Sequence, residues 1–360
     1  MSKIKVLVVD DSVFMRKLIT RFIEEDAALE VIGIARNGVE AVRMVKELGP
    51  DVVTLDIEMP EMDGLEALAT IMDQRPTPII MLSSLTQDGA VATIKALQSG
   101  AVDFISKPSG SVSFDLFKVK EELAAKIKQA AQISLKNLIL SNRRTPKVEP
   151  AQQKSSSQAE ALTEFEHIVA LGTSTGGPKA LETVIRDLPA SFPYPLLLVQ
   201  HMPPKFTKSL ADRLNRLAAV RVVEAEDNQL IVGGTVYIAP GNYHMTVMQS
   251  SKEYRIRLHQ EAARNGFRPS VDVLFDSVSQ LRKLKRHFIL MTGMGSDGAQ
   301  GMLAAKGMGA VSTIAESKET CIVFGMPRSA IELNCVDYTV PLPQIAGKLL
   351  DVTGVARRKL

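Results

Sequence analysis

Residues 5–12 read KVLVVDDS and residues 167–178 read HIVALGTSTGGP, and these two stretches decide the fold. In each, an unbroken apolar run stops abruptly at acidic or small polar residues. Strict alternation would mark a strand with one wet face, whereas continuous Val, Ile and Leu mark a strand buried on both faces, as in a parallel sheet covered by helices on both sides. Working outward from the first run, similar short runs recur at Val31 to Ala35, Val52 to Leu55, Ile79 to Ser83 and Asp103 to Ser106, each followed by a helical pattern. The expected architecture is a doubly wound α/β domain over residues 1–125. A long amphipathic stretch from Phe114 to about Leu140 closes it.

Residues 143–164, RRTPKVEPAQQKSSSQAEALTE, are polar, rich in Ser, Gln and Pro, and lack a hydrophobic period. Such a segment cannot repay the entropy of ordering and reads as a flexible linker. Residues 126–166 are therefore assigned to a helical extension plus linker, and a second α/β domain is expected over 167–350. Its strands are expected near Ile168 to Leu171, Leu196 to Gln200, Phe288 to Thr292 and Ala310 to Ile314. Helices are expected near Lys179 to Leu188, Lys205 to Leu217, Ser270 to Leu281 and Ala299 to Lys306. Val236 to Ala239, Met245 to Met248 and Tyr254 to Leu258 sit among Gly and Ser turns and read as an antiparallel β-hairpin insertion.

The whole chain has 360 residues, 45% of them hydrophobic and 23% charged, which suits two packed domains and excludes disorder over most of the length. Lys and Arg total 43 against 40 Asp and Glu, a net charge of +3 that offers no overall attraction to nucleic acid or an anionic membrane. Cys321 and Cys335 are too few for a disulfide framework and form no Cys-x-x-Cys pair. A reducing, cytoplasmic setting is the simpler expectation. No apolar stretch is long enough to span a bilayer.

In open α/β sheets, functional side chains gather at the carboxyl ends of the strands. There the first domain places Asp10 and Asp11 after its first strand, Asp56 after the third, Ser83 and Ser84 after the fourth, and Lys107 after the fifth. Each Asp alone reads equally well as a helix cap. Three carboxylates converging would instead repel one another unless joined by a hard cation such as Mg²⁺, which takes oxygen ligands. The chemistry of such a pocket is phosphoryl acceptance by a carboxylate, with Lys⁺ and a hydroxyl holding the phosphorylated form.

VVDDS, LDIEMPEMDG, MLSS and DFISKP, in this order, resemble the response-regulator receiver domain. The resemblance implies Asp56 as phosphoacceptor, Asp10, Asp11 and Asp56 around Mg²⁺, Ser83 as sensor of the phosphoryl group and Lys107 in contact with it. Phe104 falls at the family's aromatic switch position.

In the second domain, GTSTGG fits Gly-x-Ser-x-Gly between a strand and a helix opened by Pro178, so Ser174 would stand exposed at a helix start. The same turn could equally cradle a phosphate or permit close packing. Of the five histidines, His201 alone ends a buried apolar run at the edge that presents Ser174; His167 and His287 start strands, and His244 and His259 fall in the insertion. Asp297, in MTGMGSDG, reaches the same edge and would fix the imidazole, unless it merely caps the next helix. The order Ser174, His201, Asp297 differs from the Ser, acid, His order of α/β-hydrolases. Thr175 and Met294 backbone N–H groups are candidates for an oxyanion hole. Arg268 is a candidate for orienting an acidic substrate, or simply a solvated charge.

GTSTGGP, QHMPP, IAPGNYHM, NGFRPSVDVLF, MTGMGSDGAQGM and VFGMPR together resemble the catalytic domain of chemotaxis protein-glutamate methylesterase/glutaminase. That resemblance implies removal of methyl esters from chemoreceptor glutamates and deamidation of receptor glutamines by Ser174, His201 and Asp297, with no cofactor for hydrolysis. It also implies chemoreceptor cytoplasmic domains as substrate and a chemotaxis histidine kinase as phosphodonor. A receiver ahead of a hydrolase suggests phosphorylation-controlled access to the site. The competing readings are a DNA-binding output, disfavoured by the small net charge and the size of the second domain, and a non-catalytic binding module. Ester hydrolysis separates them.

Overall fold

The computed structural model describes residues 2–108, 113–133, 163–250 and 253–356. The chain falls into two compact units, Met1–Thr145 and Pro146–Leu360. Most of the stretch read as a linker, and the helical continuation expected beyond 133, lie outside the described residues.

The first unit runs β1 (Ile4–Val9), α1 (Val13–Glu24), β2 (Leu29–Ala35), α2 (Gly38–Leu48), β3 (Val52–Asp56), α3 (Gly64–Gln74), β4 (Ile79–Ser83), α4 (Gln87–Gln98), β5 (Asp103–Ser106) and α5 (Ser113–Ala130). All strand pairs are parallel, in the order β2-β1-β3-β4-β5. Val6, Leu7, Val8 and Val9 are wholly buried, which is why that run contains no alternation. The polar residues that stop the runs start the helices. Ser12, Asn37, Asp63 and Thr86 each accept a backbone N–H as N-caps, and Asp63 with Glu66 completes a capping box. Each such cap stabilises its helix by about 1 kcal/mol.

The second unit runs β6 (His167–Thr173), α6 (Gly177–Arg186), β7 (Leu196–Gln200), α7 (Phe206–Leu217), β8 (Arg221–Glu224), β9 (Thr235–Ile238), β10 (His244–Ser250), β11 (Glu253–His259), α8 (Val271–Ser279), β12 (Lys285–Leu290), α9 (Ala299–Gly307), β13 (Ser312–Glu316), α10 (Met326–Glu332), β14 (Tyr338–Val340) and α11 (Leu342–Thr353). Seven strands form one parallel sheet, β14-β13-β12-β6-β7-β9-β8, and β10 and β11 form a separate antiparallel hairpin. The architecture is the expected doubly wound α/β unit with a hairpin insertion. Its core includes Leu197, Val271, Leu274, Phe275 and Phe288, with the last two rings edge to face at 5.2 Å.

One element differs from the sequence reading. Val236 to Ala239 was expected in the hairpin, but Val236 to Ile238 belong to β9, which pairs in parallel with both β7 and β8. Tyr237 explains the difference, because its hydroxyl is satisfied inside the unit: it accepts from Val232 N at 2.9 Å and donates to Leu230 O at 3.2 Å. A buried tyrosine thus imitates the polar half of an alternating strand. The short edge strands β8 and β14, and helices α10 and α11, had no sequence expectation, and β12 starts three residues before and β13 two residues after its expected start.

Both sheets reverse about their first strand, and in the second β9 also turns back to lie between β7 and β8. In the first the reversal falls between β1 and β3, and in the second between β6 and β12. Crevices for ligands open at such switch points, beyond the carboxyl ends of the strands.

Candidate functional site

At the first switch point, carboxylate oxygens of Asp10, Asp11 and Asp56 lie within 4.8 Å of one another. Asp10 and Asp56 are buried and Asp11 is exposed, so the cluster opens to solvent on one side. The Lys107 ammonium lies 2.7 Å from Asp56 Oδ2 and 2.9 Å from Asp10 Oδ2. The Asp10 contact is an ion pair without hydrogen-bond geometry, so its buried Oδ2 still lacks a directed donor. Burial, reinforced by the charge of Asp10, pushes the Asp56 carboxyl up to about 6 against the opposing pull of Lys107 and the Ile57 N–H. Lys107 is driven the other way: burial alone would lower it, but Asp56 and Asp10 outweigh that and raise it. An all-oxygen donor set with one unsatisfied carboxylate oxygen and an open side fits a hard divalent cation that retains water.

Neighbouring residues hold this arrangement. Arg16 donates to the carbonyls of Asp10 and Asp11 at 2.8 and 2.7 Å. Gly64 is required by contact, since a Cβ there would lie 1.9 Å from the Asp56 carbonyl oxygen. The Ser83 hydroxyl is engaged with α4, receiving from Thr93 Oγ1 at 2.6 Å, and its carbonyl accepts the Lys107 N–H at 2.7 Å. The Phe104 ring is buried, with the Lys126 ammonium 5.3 Å from its centroid.

At the second switch point the strand ladder itself brings Ser174 and His201 to one edge. Thr173 pairs with Gln200, and Ser174 and His201 are the next residues beyond that rung. Gln200 Nε2 donates to Ser174 O at 3.0 Å, and Ser174 N donates to Thr292 O at 3.0 Å. The turn after β6 therefore rests on the turn after β12. Gly293 permits this approach, because a Cβ there would lie 2.9 Å from Ser174 Cβ and 2.2 Å from Met326 Sδ.

His201 Nε2 and Asp297 Oδ2 are 2.8 Å apart. Burial disfavours the Asp297 charge, yet the hydrogen bond from His201, with the Val271 and Asp272 N–H groups, holds this carboxyl below its ordinary value. An ionised carboxylate only accepts, so His201 Nε2 carries the proton and Nδ1 holds the basic lone pair. His201 Nδ1 is buried and has no hydrogen-bond partner, and no hydrogen bond joins it to Ser174 Oγ among the described residues. Catalytic contacts of this kind are often loose before substrate binds. The His201 ring stacks on Phe267, centroids 3.9 Å apart and planes 5° apart.

The other sequence candidates are placed as follows. Thr175 and Met294 follow Ser174 and Gly293 on the two touching turns, and the Met294 N–H meets no acceptor among the described residues. Arg268 is taken up by its own loop, donating to Asn242 Oδ1 at 2.7 Å and to the Gln260 and Glu261 carbonyls at 3.0 Å. His167 and His287 sit at the opposite sheet edge, hydrogen-bonded to each other at 2.8 Å. Sequence reading missed Phe267, Asp272 and Glu316. The wholly buried Glu316 accepts from Thr292 N at 2.9 Å and Thr320 Oγ1 at 2.9 Å beneath the second turn. Burial pushes its carboxyl up to about 7 against those donors.

These two crevices on one chain define a response regulator with an enzyme as its output. The response regulator receiver domain family matches residues 6–114, and the CheB methylesterase family matches residues 169–349. The chain is 49% identical over 354 residues to a protein-glutamate methylesterase/protein-glutamine glutaminase of Geobacillus kaustophilus, covering 98% of this chain and all of the relative. Identity to the protein of that description from Pyrococcus horikoshii is 45% over 355 residues, 99% of this chain and 95% of the relative. The crystal structure of the Thermotoga maritima CheB methylesterase catalytic domain superposes with a TM-score of 0.51 at 43% identity, covering 52% of this chain and 100% of that one. The chain belongs to the protein-glutamate methylesterase/protein-glutamine glutaminase family, whose members are enzymes.

Proposed function

We propose that the chain is a phosphorylation-regulated hydrolase of glutamate γ-methyl esters on chemoreceptor cytoplasmic domains, and a deamidase of receptor glutamines. The observation that carries the reading is the 2.8 Å His201–Asp297 bond beside Ser174 at the switch point. Ser174 Oγ attacks the ester or amide carbonyl while His201 Nδ1 takes its proton, and Asp297 stabilises the resulting imidazolium. The tetrahedral oxyanion is met by the Met294 and Thr175 N–H groups. As the acyl–oxygen or acyl–nitrogen bond breaks, the imidazolium returns its proton to the leaving group, giving methanol or ammonia. Water then repeats the sequence on the acyl-enzyme, releasing the glutamate carboxylate and free Ser174.

In the receiver, Asp56 accepts the phosphoryl group from a histidine kinase, Asp10, Asp11 and Asp56 hold Mg²⁺, and Lys107 and Ser83 contact the product. The chemistry supplied by Mg²⁺ bound there is neutralisation of charge on the phosphoryl oxygens. Receiver family membership supports Mg²⁺ in general terms. Among the described residues no helix is long and apolar enough to cross a membrane, and the action proposed is on receptor domains exposed to the cytoplasm. The test is methanol release from methyl-esterified receptor membranes, with and without a small phosphodonor. Expected are release stimulated by phosphodonor and a loss of at least about 1,000-fold in Ser174→Ala. Near-normal release by a folded Ser174→Ala chain would remove the mechanism.

A further inference from the structure

Asp297 does more than bond His201. Its carboxylate accepts from Ser270 Oγ at 2.8 Å, Val271 N at 2.7 Å and Asp272 N at 3.1 Å, which places it over the N-terminus of α8. From the first turn of α8 the Asp272 side chain points back. Its Oδ1 accepts from Gly298 N at 2.9 Å and Gly301 N at 2.7 Å, over the N-terminus of α9. Each carboxylate thus caps the helix on which, or before which, the other sits. The N-cap position of α9 is Gly298, whose φ of 91° suits glycine and which has no side chain for the task. Asp272 supplies that cap from another helix.

We propose that Asp272 is a positioning residue for Asp297, fixing the triad carboxylate against His201 through this reciprocal capping. Gly298 directly follows Asp297, so the 2.9 Å bond from Asp272 to the Gly298 N–H pins the backbone one residue from the carboxylate. Glycine at 301 belongs to the same device: a Cβ there would stand 3.1 Å from Asp272 Oδ1 and 2.8 Å from Phe275 Cβ. The second oxygen of Asp272 faces Asn265 Nδ2 at 3.3 Å and Arg264 Nε at 4.0 Å, and Arg264 also pairs with Asp276. Asp272 is 1% exposed. Two buried carboxylates so close repel, and burial together with the Asp297 charge raises the Asp272 carboxyl above its ordinary value.

The inference rests on the Ser174–His201–Asp297 reading, and its test separates the two. Methanol release is measured under single-turnover conditions with the full-length chain in excess, for Asp272→Ala, Asp272→Asn, Asp297→Ala and the double variants. Displacing a catalytic group by about 1 Å costs on the order of 100-fold, which is the loss in turnover expected for Asp272→Ala, with half-saturation unchanged. Asp272→Asn keeps an acceptor for both N–H groups and should lose only about 10-fold. In the Asp297→Ala background neither substitution should slow the chain by more than about twofold, because there is no carboxylate left to position. Equal losses in both backgrounds, or Asp272→Asn within about twofold of the parent, overturn the inference. If Asp272→Ala does not fold, the Asn variant and its double with Asp297→Ala decide alone. Near-normal turnover in Asp297→Ala itself overturns the triad instead.

Discussion

The two crevices occupy equivalent topological positions and treat their carboxylates in opposite ways. At the β1/β3 reversal, buried Asp10 and Asp56 share one lysine and each accept one backbone N–H, from Ser12 and Ile57, and Asp56 is pushed up to about 6. At the β6/β12 reversal, buried Asp297 takes a histidine, a serine hydroxyl and two backbone N–H groups, and its carboxyl is held below the ordinary range. Topology fixes where the polar groups gather, and the number of donors supplied fixes what they can do. In the function proposed above, the carboxylate with fewer donors is the one that receives a cation and an electrophile. A fully bonded one is set up to hold a neighbouring imidazole still.

The comparison breaks most visibly if the second crevice is not a single unit. His201→Ala should lower turnover by several orders of magnitude, about as much as Ser174→Ala, and the double variant should be scarcely worse than either. Methanol release checks this, and multiplicative losses would show independent roles. In the first crevice, incubation with Mg²⁺ and a small phosphodonor should label Asp56 as an acyl phosphate. Asp56→Asn should abolish the labelling and with it the stimulation of hydrolysis. Labelling equal with and without Mg²⁺ would contradict the assignment of Asp10, Asp11 and Asp56 to the cation.

A smaller effect sharpens the account of the imidazole. Phe267 lies flat on His201, and removing the ring by Phe267→Ala should lower turnover about 3- to 10-fold, the scale of one aromatic contact. Phe267→Tyr should retain most of the rate. Full activity in Phe267→Ala would show that the Asp297 bond alone orients the ring.

How much of this was legible in the sequence depends on the kind of interaction. The parallel cores were legible because Val6–Val9 and Ile168–Leu171 are buried on both faces and carry no alternation. Asp10, Asp11, Asp56 and Lys107 were legible as strand-end polar residues, as were Ser174 and His201, which follow a paired rung. Val236–Ala239 was misassigned because Tyr237 hides its hydroxyl within the core. Phe267 and Asp272 could not be singled out: their roles depend on a loop crossing to His201 and on a helix start meeting another helix start. Glu316 reads as an ordinary strand-end carboxylate, and only its complete burial distinguishes it.

That burial carries the last and smallest expectation for activity, and a clear one for stability. Glu316 lies on the last residue of β13, facing Thr292 N, Thr320 Oγ1 and the buried Cys321, with no cation among them. Its carboxyl is pushed from an ordinary 4.5 up to about 7, so between those values the folded chain holds a proton that the unfolded chain has released. Stability from this group is therefore greatest at low pH and falls as pH rises from about 4.5 to about 7, by an amount on the order of 3 kcal/mol. Gln at this position offers one oxygen to Thr292 N and an amide to Thr320 Oγ1, and it does not titrate. Glu316→Gln should turn over at close to the parent rate. Its melting temperature relative to the parent should climb by several degrees between pH 5 and pH 7.5, given roughly 2–4 °C per kcal/mol for a domain of this size. A difference that stays constant across that window would mean that Glu316 is ionised throughout. The Thr292 turn would then rest on a buried charge held by two donors alone, the condition that the second crevice otherwise avoids.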